Sequence, residues 1–236
     1  MSIKAVLFDL DGTLIPMSQD EFIAAYFKEL AKKVCPVMGI SPDMLVKGIW
    51  TGTGAMIEND GSRRNDEAFW DVFIRLTGLE YDIVKPLTDD FYPNEFNNAK
   101  VVAKENSLAK KAVELAGRNG RKVVLATNPI FPMAGQVSRV HWIGLNEADF
   151  ELITAYETES YCKPNRQYYL SICERIGVPP EECLMVGNDE GEDMYPASSL
   201  GMRCFNVTDY KIANEAHPWN GDSGDFTQLI EYLEKL

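Results

Sequence analysis

Asp9 and Asp11 stand one residue apart at the end of the apolar run 4–8, and Gly12 and Thr13 follow at once. Two carboxylates held together at the tip of one strand repel each other when both are ionised, so the pair costs stability unless a cation or a bound reactant compensates. Other short polar sets follow apolar runs elsewhere in the chain. They are Thr127, Asn128 and Pro129 after 122–126, Lys163 and Pro164 beyond 151–154, and Gly187, Asn188, Asp189 and Asp193 after 183–186. Carboxylates without a neighbouring imidazole or thiolate form a hard-oxygen set that suits Mg2+ better than zinc. Lys163 and the Thr127/Asn128 turn add a cation and hydrogen-bond donors, which a phosphoryl group with spread negative charge requires. Each fragment alone is commonplace. Together they describe a phosphoryl-transfer pocket.

These residues must be carried to one place, and the elements that do so are legible. Five apolar runs, 4–8, 122–126, 151–154, 183–186 and 202–206, read as strands. Helical patterns lie between the last four, including 108–119 closed by Gly120 and 165–176 closed by Gly177. Near-continuous apolar strands alternating with helices predict an α/β fold, a Rossmann-like parallel sheet with helices on both faces. Such a sheet delivers every strand's C-terminal end to the same edge, where ligands bind.

The stretch between the first two strands is different. It lacks a strand run and carries helix signals: Ser18 with Glu21 as a capping box ahead of Phe22, Ile23, Tyr26, Phe27 and Leu30; Ser41 followed by Pro42; and 66–76 closed near Gly78. The expected organisation is a core of residues 1–15 and 97–236 with a smaller all-helical cap, 16–96, lying over the sheet. Thr51, Gly52, Thr53 and Gly54 imitate a phosphate loop, but no strand precedes them and no Gly-Lys-Ser/Thr follows, so a turn or helix irregularity is expected. The aromatic pairs Phe69/Trp70 and Tyr168/Tyr169 read as core.

Composition narrows the classes. Lys plus Arg total 23 against 36 Asp plus Glu, a formal charge of -13, which disfavours broad contact with nucleic acid or anionic lipid. Five cysteines without CxxC spacing and two histidines argue against a disulfide framework or a zinc site, and point to a reducing compartment. With no apolar run of membrane-spanning length and no signal-like N-terminus, the cytoplasm is the expected location. Oligomeric state is not encoded in any pattern here. The Asp9 to Gly12 segment is no EF-hand, because its glycine comes one residue too early.

In this order the motifs FDLDGTL, ATN, CKP and VGNDEGED resemble those of the haloacid dehalogenase-like hydrolase superfamily, across the whole sheet domain. The helical insert looks like the cap of its phosphoglycolate phosphatase-like and phosphoglucomutase-like members. The resemblance implies a Mg2+-dependent phosphatase acting on a small phosphorylated metabolite, with Asp9 as nucleophile and Asp11 as general acid and base whose main-chain carbonyl also meets Mg2+. It implies Thr127 and Asn128 as phosphate donors, Lys163 paired with Asp9 and the phosphoryl group, and Thr13 fixing the turn at Gly12. The fourth motif departs from the family's Gly-Asp pattern: a four-residue spacing to Asp193 makes Asp189 the metal ligand, a five-residue spacing makes it Asn188. A carboxylate outcompetes an amide for Mg2+, which favours Asp189 and leaves Asn188 and Asp193 behind it. Asp11 argues against displacement of halide from carbon, which needs no proton donor of this kind. Two other outcomes remain: a phosphomutase that passes the phosphoryl group to a sugar hydroxyl, and a non-catalytic binding protein that keeps the fold. Arg63 and Arg64, in a loop with Gly61 and Ser62, are either substrate contacts in the cap or a solvated inter-helix loop.

Overall fold

The computed structural model describes residues 2–236. Their order is β1 (Ala5–Phe8), α1 (Gln19–Met38), α2 (Pro42–Ile57), α3 (Asn65–Thr77), α4 (Tyr81–Phe91), α5 (Ala109–Ala116), β2 (Lys122–Leu125), α6 (Met133–Trp142), β3 (Leu152–Ile153), α7 (Arg166–Ile176), β4 (Cys183–Gly187), α8 (Tyr195–Ser199), β5 (Arg203–Val207), β6 (Ser223–Gly224) and α9 (Phe226–Leu233). The strands form one sheet in the order β3-β2-β1-β4-β5-β6, parallel throughout. Strand β1 is therefore central. Phe8 pairs with Leu125 on one side and Val186 on the other, so the residues after β1, β2 and β4 emerge at one level. The five expected strands form, while β6 has only two residues and no apolar run to announce it.

The pleat of β1 sorts the two faces. Val6 and Phe8 enter one apolar layer, with Leu115 of α5 and Leu229 of α9; Ala5 and Leu7 enter the other, with Tyr168 and Ile172 of α7. Tyr168 and Tyr169 are fully buried, as expected of core aromatics. Between β1 and β2 every regular element is helical, and the 3-10 segment Glu95–Val102 lies between α4 and α5. Phe22, Tyr26, Leu30 and Val34 repeat at helical spacing along α1 and join the same apolar layer as Phe8 and Phe96. The helical layer thus shares a core with the sheet.

Local signals mostly act as read. Ser41 accepts from the Met44 amide at 3.2 Å with Pro42 opening α2, and Gly78 closes α3 in the left-handed region with its N–H on the Ile74 carbonyl. The capping box at α1 does not form: Ser18 takes the N-cap position in extended backbone, but its hydroxyl makes no capping bond. Asp20 and Glu21 instead place negative charge at the positive end of that helix. The Thr51 to Gly54 stretch lies inside α2. A Cβ on Gly52 would come within 2.6 Å of the Phe69 ring, and one on Gly48 within 2.8 Å of Thr77, so α2 and α3 pack at glycine distance.

Candidate active site

Asp9 is the first residue past β1, fixed by its own N–H on the Val186 carbonyl at 2.8 Å. Leu10 turns into the core and is fully buried, which leaves Asp9 and Asp11 lining the same cavity. The chain then reverses at Gly12, whose φ of 82° lies in the left-handed region. A Cβ there would also sit 2.4 Å from the Asn188 amide nitrogen, so glycine is required on both counts. Thr13 donates to Asp9 Oδ2 at 3.2 Å and lies 3.1 Å from Asn188 Oδ1.

Lys163 arrives from the edge of the sheet, beyond β3, and is 1% exposed. Its ammonium donates to Asp9 Oδ1 at 2.8 Å and to Asp193 Oδ1 at 2.6 Å. Burial alone would lower the lysine's pKa, but Asp193 and Asp9 reverse that and hold it well above the usual value. The lysine is therefore a permanent cation bridging the ends of β1 and β4. Asp193 uses its other oxygen to accept from the Asn188 and Asp189 amides, both at 3.1 Å, which locks the turn after β4.

Two further partners of these groups are absent from the residues singled out in the sequence. Arg139, on α6, is 1% exposed and pairs with Asp11 Oδ2, while the same guanidinium reaches Gln136 Oε1 and lies 4.4 Å from the Phe131 ring centroid. A single arginine within a helix reads as solvated; its position on the inward face with Gly135, Gln136 and Val140 was the available clue. Burial pushes the Asp11 carboxyl above its ordinary pKa, with Arg139 opposing and Asp9 adding to the rise. The second is Glu192, which lines the cavity and accepts from Asn128 Nδ2 at 3.0 Å. Thr127, also lining the cavity, is buried, and its carbonyl takes hydrogen bonds from Tyr168 and Thr154.

The turn after β4 presents both Asn188 and Asp189 to the cavity. Both ends of the Asn188 amide are occupied, by Thr13 and by the Tyr210 carbonyl at 2.6 Å. Asp189 Oδ1 accepts from the Gly191 and Glu192 amides at 2.7 and 2.9 Å. The donors gathered here fit a hard cation: they are oxygens, Asp9, Asp11, Asp189, Glu192 and Asp193 crowd the edge, and Asp11 Oδ1 and Asn128 Oδ1 are buried with no hydrogen-bond partner. No ready-made cluster of three His, Cys, Asp or Glu metal ligands occurs among the described residues, and a set that includes a main-chain carbonyl does not need one.

Burial of Glu192 gives a prediction. Its pKa is pushed up from 4.5 to about 7, chiefly by desolvation, with Lys163 opposing. Between those values the unfolded chain releases a proton that the folded one keeps, so stability is lost as pH rises from 4.5 to 7 and stays lost above. Glu192→Gln, which keeps an acceptor for Asn128, therefore raises stability by on the order of 1–3 kcal/mol at pH 8 and by little at pH 4.5. Urea unfolding of the metal-free protein at the two pH values measures it; equal effects at both would contradict the assignment.

From the strand ends the cavity, about 280 Å³, runs up between the helices, walled by aromatic side chains that include Phe22, Tyr26, Trp50, Phe69 and Trp70. Arg63 and Arg64 are not among its walls. They face outward, Arg63 to Asp71 at 3.4 Å and Arg64 to Asp66 at 3.2 Å. The loop they belong to does reach the sheet domain, but through Asn65, fully buried, whose side chain donates to the Pro129 and Tyr161 carbonyls, both at 3.4 Å.

Comparison with known proteins places the chain in a family. The profile of the haloacid dehalogenase-like hydrolases matches residues 3–201. The chain is 24% identical to a glyceraldehyde 3-phosphate phosphatase of Methanopyrus kandleri over 99% of this chain and 98% of that one. It is 26% identical to a phosphoglycolate phosphatase of Aquifex aeolicus over 80% and 78% of the two chains. Among solved structures, a HAD phosphatase from Thermococcus onnurineus superposes with a TM-score of 0.63 at 22% identity, covering 98% of each chain, which supports the fold. With its parallel sheet, its central pair of aspartates and a match across most of its length, the chain belongs to the haloacid dehalogenase-like hydrolase family.

Proposed function

We propose that the protein is a Mg2+-dependent phosphatase that hydrolyses a small phosphorylated metabolite through an aspartyl phosphate on Asp9. The observation that carries the reading is the clamp on Asp9: one carboxylate oxygen on Lys163, the other on Thr13, at the end of the central strand. A carboxylate oriented this way can attack phosphorus in line, forming a P–O bond as the ester P–O bond breaks. Asp11 gives its proton to the leaving alkoxide, and its raised pKa helps it carry that proton. Asp11 then takes a proton from the water that attacks phosphorus, which frees Asp9 and releases phosphate. Thr127 and Asn128 bind the phosphoryl oxygens, and Lys163 orients Asp9 against them.

Mg2+ would be held by Asp9, the Asp11 main-chain carbonyl and Asp189, where it supplies positive charge against the phosphoryl oxygens and the crowded carboxylates. Asp189 is preferred to Asn188 because a carboxylate outcompetes an amide for Mg2+, and the Asn188 amide nitrogen is engaged by the Tyr210 carbonyl. In the same reading residues 16–96 act as a cap on a core of 1–15 and 97–236. The compartment proposed is the cytoplasm, consistent with five free cysteines. No helix among the described residues is long and apolar enough to cross a membrane.

A Mg2+-supplemented screen of phosphate monoesters tests the function. Phosphate release that stops with EDTA and returns with Mg2+ is expected. Bisphosphate-dependent sugar isomerisation with little release would make it a mutase, and a screen that stays blank while phosphate and Mg2+ also fail to bind would make it non-catalytic. Asp189→Asn is expected to raise the Mg2+ concentration for half-maximal activity by at least about tenfold, as loss of one charged ligand should. If Asn188→Ala does this and Asp189→Asn does not, the ligand is Asn188.

A further inference from the structure

We infer that the substrate is the monophosphate of a compact, uncharged, apolar alcohol, and that Trp50 is a specificity-determining residue; the inference rests on the phosphatase reading above. Its basis is the chemistry of the cavity walls. The charged residues lining the cavity are Asp9, Asp11, Asp189, Glu192 and Asp193, all acidic and all on the segments after β1 and β4. Among the described residues that line it there is no lysine, arginine or histidine. On the helical side, α1 to α4 contribute as polar groups only Gln19, Thr53, Thr88, the Tyr26 hydroxyl and the indole N–H groups of Trp50 and Trp70, against a continuous aromatic and aliphatic surface.

A leaving group that carries a carboxylate or a second phosphate would be desolvated there with no counter-ion and with acidic neighbours, an arrangement that strongly disfavours binding. A polyol would lose most of its hydrogen bonds to water without replacement. The two cations behind the lining, Arg139 and Lys163, are not available to repair this, because Asp11 and Gln136 hold the guanidinium and Asp9 and Asp193 hold the ammonium. An apolar alcohol meets no such cost and gains contact with the rings. A volume of about 280 Å³ is at the low end of small-molecule sites, which limits the alcohol to a compact one.

Trp50 is the residue to alter. It lines the cavity from α2, lies 5.7 Å from the Phe27 ring and is 49% exposed, so the fold does not depend on burying it.

The experiment compares benzyl phosphate and n-butyl phosphate with phosphoglycolate and glycerol 3-phosphate as substrates of the Mg2+-loaded enzyme. In parallel, benzyl alcohol and glycolate are titrated against the indole N–H signals of Trp50 and Trp70 by NMR. The apolar esters are expected to show a kcat/KM at least about tenfold higher, the effect of burying one ring-sized group. Benzyl alcohol, and not glycolate, should shift both indole signals. Trp50→Ala should lower kcat/KM about tenfold more for benzyl phosphate than for methyl phosphate. Turnover that favours the charged esters, an equal fall for both substrates in Trp50→Ala, or indole signals that ignore benzyl alcohol would each overturn the inference. If benzyl alcohol binds but no ester is hydrolysed, the phosphatase reading falls and the apolar specificity of the cavity stands.

Discussion

Asp9→Asn is expected to abolish turnover, by on the order of 10⁴-fold or more, while the protein remains folded and soluble. The amide is nearly the same shape: its oxygen can still accept from Lys163, and its NH2 can donate to the Thr13 hydroxyl. What it lacks is the anionic oxygen that attacks phosphorus. The substitution also removes one charge from an edge where Asp11, Asp189, Glu192 and Asp193 crowd the same cavity, so folding should not suffer for want of a counter-ion. Initial rates of phosphate release under saturating substrate and Mg2+, with a urea unfolding curve of the same preparation, separate the two effects. Retained activity in a clean preparation would remove Asp9 from the chemistry.

Lys163→Met carries the second large effect, and here stability falls together with activity. The ammonium is fully enclosed between Asp9 and Asp193, and Asp193 is as deeply buried as the lysine. Removing one member of a buried ion pair leaves its partner desolvated and uncompensated, at about 3–5 kcal/mol, whereas methionine only replaces the apolar stem. The loss should shrink in the double variant Lys163→Met with Asp193→Asn, since the stranded charge is gone. Urea midpoints at fixed pH in EDTA measure this, and a single variant within about 1 kcal/mol of wild type would show that the lysine does not hold the strand ends together.

Much of the site is legible in the sequence because parallel strands impose a rule: whatever follows a strand arrives at one edge. Asp9, Thr127, Asn128, Asn188 and Asp189 each stand within a few residues of a strand end, and the cavity brings them together. Lys163 is harder to place, because a long loop separates it from β3, and only its chemistry and the motif order set it apart. Glu192 stands in the same turn as Asp189 and Asp193 and falls under that rule, whereas Arg139 has no such position. Arg139 is recruited by the tertiary contact of α6 with Asp11 and the Phe22 and Phe131 rings, which no local pattern encodes. The two-residue strand β6 escapes for the same reason, since a glycine and a serine join the sheet only through pairing with β5. The glycines of α2 read as a turn or helix irregularity, but the helix runs through them unbroken, and what they permit is the close packing of α2 on α3. The helical stretch is recognisable from periodicity, and the lean of its apolar face toward the sheet follows from Phe22, Tyr26 and Leu30 lying on one side of α1.

The account stands on Asp9 as the residue that receives the phosphoryl group. Mass spectrometry of enzyme acid-quenched during turnover of a hydrolysed monoester tests this most directly. The account predicts the added mass of one phosphoryl group on the peptide that contains Asp9, lost in Asp9→Asn and convertible to homoserine at that position by borohydride. Phosphate release that proceeds with no phosphoryl group on that peptide, or with the group on another residue, would contradict it.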